Sequence, residues 1–194
     1  MARMNQLTNS APPRICVFCG SALGRLPAYA EFARRLGVGI AGRGATLVYG
    51  GASIGLMGVL ADAALTAGGR VIGVLPDSLR QRELAHTRLT ELRITADLAV
   101  RKTEMLALSD AFISLPGGIG TLDELFEIWT LIQLGARRRP MLLINQGGYY
   151  DPLLAFLKAA VREGFLSANS LDLLLTAESP EAALAIACGD APVR

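Results

Sequence analysis

Short apolar runs alternate along this chain with stretches in which apolar residues recur at helical spacing. The runs are typical of buried strands, and most of them end in glycine or proline. Predicted strands lie at 15–19, 45–49, 70–75, 92–95, 111–115 and 141–145, and a further short apolar segment lies at 171–175. Predicted helices begin at 27 (closing near 42–44), run through 56–65, and cover 98–109, 122–134, about 150–163 and 180–188.

Continuous apolar strands that alternate with helices predict a parallel sheet covered on both faces. No break in composition and no internal repeat divides the chain. We therefore predict one doubly wound α/β domain over residues 14–194. Residues 1–13 are polar and end in Pro12-Pro13, so we expect them to form a flexible leader.

Composition narrows the class of protein further. Of the 194 residues, 52% are hydrophobic, and the mean hydropathy of +0.40 excludes a disordered chain. The net charge of +2 arises from 19 basic and 17 acidic residues, which gives no indication of nucleic-acid or membrane-surface binding. No apolar run is long enough to span a bilayer, and no signal peptide is recognisable. We expect a cytoplasmic protein.

The cysteines are candidate metal ligands and redox groups. Cys16 and Cys19 form a C-x-x-C pattern, but a zinc site would need further ligands, and the chain offers only Cys188 and His86. A redox pair should open a helix, whereas this pair lies in an apolar strand run. We therefore predict buried strand cysteines, with no metal and no cofactor.

Glycine-rich stretches follow three of the predicted strands, at 20–21, 50–55 and 116–121. In doubly wound sheets, ligands bind outside the carboxyl ends of the strands. Gly117, Gly118 and Gly120 leave no side chain to obstruct a ligand, and the following helix directs free N–H groups and its positive dipole end at the same space. This pattern predicts an anion site, with phosphate as its usual occupant.

The same stretch has a purely structural interpretation. Thr121-Leu122-Asp123-Glu124 fits a capping box, with Thr121 as N-cap and Glu124 at the third helical position. From this pattern alone, Glu124 is either a helix cap or a reactive carboxylate.

Two common nucleotide motifs are missing. The first predicted loop is Gly20-Ser21-Ala22-Leu23-Gly24, which is not the G-x-G-x-x-G of dinucleotide folds. No glycine loop continues into the Lys-Ser or Lys-Thr of a P-loop. NAD, FAD and ATP-driven chemistry are therefore disfavoured, whereas a phosphate held by backbone N–H groups is still expected.

The stretch 116–124 resembles the P-G-G-x-G-T-x-x-E signature of the LONELY GUY (LOG) phosphoribohydrolases, and the resemblance covers nearly all of the chain after Pro13. Further matching segments are Cys19-Gly20-Ser21, Tyr49-Gly50-Gly51, Gly55-Leu56-Met57-Gly58, Glu83-Leu84-Ala85-His86, Arg101-Lys102, Gln133-Leu134-Gly135, Gly148-Tyr149-Tyr150-Asp151 and Glu163-Gly164-Phe165.

The resemblance implies a homodimeric, Rossmann-like enzyme that uses no cofactor. It implies cleavage of the N-glycosidic bond of nucleoside 5′-monophosphates, cytokinin ribotides or AMP, to the free base and ribose 5-phosphate. Members are often labelled lysine decarboxylases, but no lysine here lies in a recognisable pyridoxal-phosphate setting. The chain departs from the family pattern at Leu98-Ala99, Thr130-Leu131 and Gly135-Ala136-Arg137, which affects the expected base pocket.

The resemblance and the motif spacing together suggest site residues. The expected catalytic residues are Glu124, Arg101 and Glu83, and the expected phosphate- or nucleotide-binding residues are Gly117, Gly118, Gly120, Thr121, Ser21, Gly50, Gly51, Met57 and Lys102. A carboxylate beneath the ribose could stabilise the positive charge that develops when the bond to the base breaks.

Each role has a structural alternative. Glu83 could be a solvated charge among arginines, and Arg101 an exposed helix charge. His86 is more simply explained as a structural residue, and Asp123 as compensation for the helix dipole. The alternative function is a non-catalytic nucleotide-binding or sensor protein of the same fold, which would need the glycine loops but neither carboxylate.

Overall fold

The computed structural model describes residues 12–80 and 85–190. Its strands form one seven-stranded sheet in the order β4-β3-β2-β1-β5-β6-β7, and every neighbouring pair is parallel. The strands are β1 (Arg14–Phe18), β2 (Thr46–Tyr49), β3 (Arg70–Pro76), β4 (Glu91–Thr95), β5 (Ala111–Ser114), β6 (Met141–Ile144) and β7 (Leu174–Ala177). The predicted doubly wound parallel sheet is confirmed.

Helices cover both faces of this sheet. They are α1 (Pro27–Gly42), α2 (Gly55–Thr66), α3 (Leu98–Leu108), α4 (Ile119–Gln133), α5 (Asp151–Arg162), α6 (Ala168–Leu171) and α7 (Pro180–Ala187), with 3₁₀ turns at Asp77–Leu79 and Gln146–Gly148. Helices α1, α2 and α7 pack on one face. Helices α3, α4 and α5 pack on the other. None of the helices in the described ranges is long and apolar enough to cross a membrane.

The strands read as continuous apolar runs because both of their faces are buried. In β1, Ile15 and Val17 belong to the core beneath α1 and α2, whereas Cys16 and Phe18 belong to the core beneath α3 and α4. Cys19, just after β1, is also buried, and all three cysteines are free thiols. Burial raises the pKa of Cys16 and Cys19, and the nearby charge of Glu124 raises both further. The prediction that both cysteines are buried is confirmed, and Cys16 lies in the strand whereas Cys19 directly follows it.

The order of the strands places the glycine loops side by side. The chain moves outward from β1 to β4 and then returns to β5, on the other side of β1. The topological switch therefore lies between β1 and β5. The glycine stretches follow β1, β2 and β5, which are adjacent, so all of them lie at one edge of the sheet.

Most predicted elements lie within a few residues of their observed positions, with two instructive exceptions. The apolar segment 171–175 divides between the end of α6 and the start of β7. Helix α4 begins at Ile119 and not at Leu122, so part of the predicted glycine loop is helical. The predicted leader lies outside the described residues, apart from Pro12 and Pro13.

Candidate active site

The start of α4 decides between the two interpretations of Glu124. Gly118 is the N-cap and supplies no side-chain cap, while Thr121 lies inside the helix. Glu124 therefore lies in the second turn of α4, too far along the helix to close its end. The capping-box prediction is wrong, because a Thr-x-x-Glu pattern caps a helix only when the threonine precedes the first helical residue.

The glycines of the loop after β5 differ in what surrounds them. A Cβ atom on Gly117 would collide with the buried side chain of Thr121, so this glycine is required by packing. A Cβ atom on Gly118 or Gly120 would have no atom within 4 Å. The described protein itself does not require glycine at these two positions, which favours the interpretation that a ligand approaches the backbone there.

The backbone of this loop is suited to an anion. The N–H groups of residues 117–121 have no acceptor within the ranges 12–80 and 85–190. They include the first N–H groups of α4, which carry the positive end of the helix dipole. A phosphate at this position would satisfy donors that the fold leaves open.

A cleft of about 280 Å³ lies beside this loop. Gly20, Ser21 and Leu56 line one wall, and Gly117 and Gly118 line another. The N–H group of Gly20 donates to the carbonyl of Pro116 at 3.2 Å and holds the two walls close together. Within the first wall, the N–H group of Leu56 donates to the carbonyl of Gly20 at 3.0 Å. The first and third glycine stretches thus form one cleft at the switch point of the sheet.

A buried ion pair lies next to the loop. Arg101 Nη2 on α3 lies 2.6 Å from Glu124 Oε1 on α4, and the two side chains are 8% and 10% exposed. Arg101 is therefore not an exposed helix charge, which excludes that alternative. Its Nε–H group is also buried and has no acceptor in the described part of the chain, so the guanidinium keeps one donor available for a ligand or a water molecule.

Gly50 brings the second glycine stretch to this ion pair. A Cβ atom on Gly50 would lie 2.5 Å from Arg101 Nη2 and 2.9 Å from the sulfur of Met57. The absence of a side chain at Gly50 thus lets the guanidinium and the thioether rest against the end of β2. Four of the predicted site residues, Gly50, Met57, Arg101 and Glu124, are brought together here.

Lys102 does not face the glycine loop. Its ammonium lies 3.1 Å from Asp123 Oδ2 and also contacts Glu127, so it joins α3 to α4 next to the Arg101–Glu124 pair. Burial opposes the charge of Lys102, but the hydrogen bonds that its ammonium donates to Glu127 and Asp123 outweigh this effect and raise the pKa of the ammonium. Asp123 lies beyond the first turn of α4, so its partner is Lys102 and not the helix dipole.

Gly51 and His86 contact each other after β2. Gly51 has a φ of 81°, and its carbonyl accepts from the N–H group of His86 at 3.0 Å, so it shapes the turn after β2. His86 is buried and its Nε2 lies 3.0 Å from Asp62 Oδ1, which agrees with a structural role. Glu83 lies outside the described residues.

Tyr149 and Tyr150, which belong to a matching motif but had no predicted role in the site, contact the glycine loop and its preceding residue. The hydroxyl of Tyr149 donates to the carbonyl of Gly117 at 2.7 Å, and that of Tyr150 donates to the carbonyl of Leu115 at 2.6 Å. The Tyr149 ring also lines the cleft and makes an edge contact with Tyr29. Their proximity depends on β5 and β6 being neighbours, and nothing in the spacing along the chain indicates that.

Chemically, the site combines an anion-binding backbone with a buried carboxylate one helical turn further along α4. Thr121 and Glu124 are three residues apart, so they share one helix face about 4.5 Å apart along the axis. A phosphorylated sugar bound at the loop could therefore lie within reach of the carboxylate. The fold and this site define a Rossmann-like α/β protein with a cleft whose open backbone donors suit a small anionic ligand.

Comparison with known protein families agrees with that class. The family model described as "Possible lysine decarboxylase" matches residues 57–186. The chain belongs to this family, which includes the LOG proteins that the sequence motifs resemble.

Several curated relatives match most of the chain. The Arabidopsis thaliana cytokinin riboside 5′-monophosphate phosphoribohydrolase LOG1 is 47% identical over 166 residues, which cover 86% of this chain and 78% of that protein. LOG4 of the same plant is 49% identical over 84% of this chain and 76% of its own length. The rice enzyme LOG is 47% identical over 84% of this chain and 68% of its own length.

Solved structures share the fold. A molybdenum cofactor binding protein from Rippkaea orientalis has a TM-score of 0.69 at 25% identity, and the match covers 91% of this chain and 95% of that one. The molybdenum cofactor carrier protein of Chlamydomonas reinhardtii has a TM-score of 0.66 at 21% identity, with 91% and 96% covered. At 21% identity, the similarity to the Chlamydomonas reinhardtii protein is evidence of a shared fold alone.

Proposed function

We propose that this protein hydrolyses the N-glycosidic bond of nucleoside 5′-monophosphates, cytokinin ribotides or AMP, and releases the free base and ribose 5-phosphate. The observation that carries the proposal is the identity of 47–49% to proteins named for this activity, over 84–86% of the chain. The buried Arg101–Glu124 pair beside the glycine loop supports it, because a protein that only binds nucleotides does not need this carboxylate.

In the proposed complex, the 5′-phosphate accepts hydrogen bonds from N–H groups at residues 118–121. The first glycine stretch, with Ser21, closes the other side of the cleft. The ribose then extends along α4 toward Glu124. This arrangement requires the phosphate for binding, so we expect AMP to be hydrolysed far more efficiently than adenosine.

The proposed chemistry begins as the bond between C1′ and the base lengthens and its electron pair moves to the base. Positive charge then builds on the ribose, and the carboxylate of Glu124 stabilises it and positions a water molecule. Water supplies the hydroxyl group to C1′ and a proton to the base. Arg101 orients Glu124 and keeps a donor for the ribose or the base.

The remaining predicted residues have narrower proposed roles. Met57 and Gly50 lie against Arg101, so we place the base on this side of the site. Glu83 stays a candidate second carboxylate. Lys102 is proposed to hold α3 against α4 and thereby to fix the distance between Arg101 and Glu124, instead of contacting the nucleotide directly.

The lysines of this chain do not suit the chemistry that the family description names. A decarboxylase that uses pyridoxal phosphate needs a deprotonated lysine to form a Schiff base. Lys102 has acidic partners that raise its pKa, and Lys158 is exposed on α5. We therefore do not propose lysine decarboxylation.

Incubation with AMP, a cytokinin ribotide and adenosine tests the proposal, with each reaction followed by chromatography of the bases. Free adenine from AMP but little from adenosine is the expected result. Binding of AMP without any release of base would favour the nucleotide-binding alternative. A chelator should leave the activity unchanged, since the proposed mechanism uses no metal.

We also propose that the protein is a cytoplasmic homodimer. Exposed apolar residues on the edge strand β4 and the start of α3 support an association between copies; they are Leu92, Ile94, Leu98 and Val100. Val100 directly precedes Arg101, so a partner at this surface would lie near the site. Light scattering after size exclusion should give twice the 20.5 kDa chain mass.

A further inference from the structure

Carbonyl groups at the start of the glycine loop are all occupied by donors from outside the loop. The hydroxyl of Tyr150 donates to Leu115, the N–H group of Gly20 donates to Pro116, and the hydroxyl of Tyr149 donates to Gly117. The next carbonyl, that of Gly118, accepts from the N–H group of Leu122 within α4. Each carbonyl of residues 115–118 therefore accepts a hydrogen bond from the protein.

Fixing a carbonyl also fixes the N–H group of the same peptide unit. In a trans peptide, the C=O and N–H bonds point in opposite directions. The hydrogen bond from Tyr149 to the carbonyl of Gly117 therefore sets the direction of the N–H group of Gly118. Two successive glycines have wide conformational freedom, so without this bond the peptide could turn its carbonyl toward an anion and repel it.

Tyr149 is well placed for this task. Its side chain lines the cleft, yet its ring is held by edge contacts with Tyr29 at 5.8 Å and with Tyr150 at 5.0 Å between centroids. Its hydroxyl proton is engaged by Gly117, so the same proton is not available to a phosphate. Tyr150 is buried beneath it, and burial raises the pKa of Tyr150, which keeps that hydroxyl protonated as a donor.

We propose that Tyr149 is a positioning residue, which locks the Gly117–Gly118 peptide so that a phosphate group meets only N–H donors. The proposal rests on the proposed function for the identity of the ligand, but it concerns binding and not bond cleavage. It predicts that loss of the Tyr149 hydroxyl weakens recognition of phosphate specifically.

The test is Tyr149→Phe, with ribose 5-phosphate and adenine as probes in calorimetric titrations. One lost hydrogen bond corresponds to about a fivefold change in affinity. We expect the Kd of ribose 5-phosphate to rise about fivefold, while that of adenine stays within about twofold. In turnover, KM for AMP should rise by a similar factor and kcat should stay within about twofold.

Thr103→Val is the matched control, since it also deletes a hydroxyl that donates to a backbone carbonyl, that of Ala99 at 3.0 Å on the exposed side of α3. This variant should bind both probes normally. Melting temperatures of all proteins show whether any change reflects unfolding, and Tyr150→Phe, which removes the buried bond, should lower the melting temperature more than Tyr149→Phe.

Unchanged affinity of Tyr149→Phe for ribose 5-phosphate would overturn the proposal. Equal weakening of the binding of both probes would also overturn it, since that result indicates general damage to the cleft. The proposal would likewise fail if the wild-type protein did not bind ribose 5-phosphate. A wild-type protein that binds ribose 5-phosphate but cleaves no nucleotide would refute the proposed function and leave the inference about Tyr149 standing on the titrations.

Discussion

Removing the charge of the Glu124 carboxylate tests whether this group takes part in catalysis or only stabilises the fold. Glu124→Gln keeps nearly the same shape and removes the charge. The carboxylate lies 2.6 Å from Arg101 Nη2, and both side chains are largely buried. At an effective dielectric constant of about 20, charges at 2.6 Å attract each other by about 6 kcal/mol, before the cost of desolvating both groups is subtracted.

This substitution should therefore affect stability as well as activity. Removing one member of a buried ion pair generally destabilises a protein by about 3–5 kcal/mol, because the other charge is left unpaired. For a chain of this size, the melting temperature should fall by on the order of 10 °C. If Glu124 also stabilises a cationic ribose, turnover per folded molecule should fall by about a hundredfold or more.

The assay measures turnover of AMP well below the melting temperature of the variant, with the folded fraction taken from circular dichroism. Affinity for ribose 5-phosphate is measured in parallel and should survive, since the phosphate loop is unchanged. The double variant Arg101→Gln with Glu124→Gln leaves no unpaired charge, so it should recover part of the stability but none of the turnover. Near-normal turnover per folded molecule in Glu124→Gln would refute the catalytic role and leave a structural ion pair.

Three further substitutions test the geometry. Gly118→Ala should leave the melting temperature nearly unchanged, because a Cβ atom there meets no atom within 4 Å. It should raise KM for AMP about tenfold, and an unaltered KM would contradict phosphate binding at this residue. Gly50→Ala places a Cβ atom 2.5 Å from Arg101 Nη2, so kcat should fall at least about tenfold in steady-state assays. Lys102→Met should lower the free energy of unfolding by about 1 kcal/mol at pH 7 in urea titrations. The folded-state pKa of Lys102 is raised, so its stabilising contribution is complete below the ordinary lysine pKa of 10.5 and is lost as the pH rises through the higher folded-state pKa. The difference in stability from wild type should therefore shrink as the pH rises above 10.5.

The fold was predictable because its signal is local. Strands buried on both faces must be apolar throughout, so β1 and β5 appear in the sequence as uninterrupted runs. The strand order also places the glycine stretches at one edge, in agreement with the general rule for doubly wound sheets. The predicted position of β7 was a few residues too early, because the apolar residues of the strand continue from those of α6. An apolar run alone does not show where a helix ends.

The start of α4 was not predictable from local pattern. Thr121-Leu122-Asp123-Glu124 satisfies a capping box, but the helix begins before it because the side chain of Thr121 is buried against Gly117. A glycine-rich segment gives no propensity signal that distinguishes a loop from a first helical turn.

The contacts within the site depend on long-range packing. The pairing of Arg101 with Glu124 requires α3 and α4 to lie side by side, and the contact of Arg101 with Gly50 requires β2 to end beneath them. Sequence motifs identified each of these residues but not their partners. The same holds for Tyr149, whose hydrogen bond to Gly117 joins residues 32 positions apart.

Analysis of the products of AMP by chromatography and mass spectrometry tests the central claim most directly. Adenine and ribose 5-phosphate should appear in equal amounts as AMP disappears, without added metal or nucleotide cofactor. Release of adenosine and inorganic phosphate would indicate a phosphatase instead. Recovery of intact AMP from a protein that binds it would indicate a non-catalytic nucleotide-binding protein. Either result would contradict the proposed hydrolysis of the N-glycosidic bond.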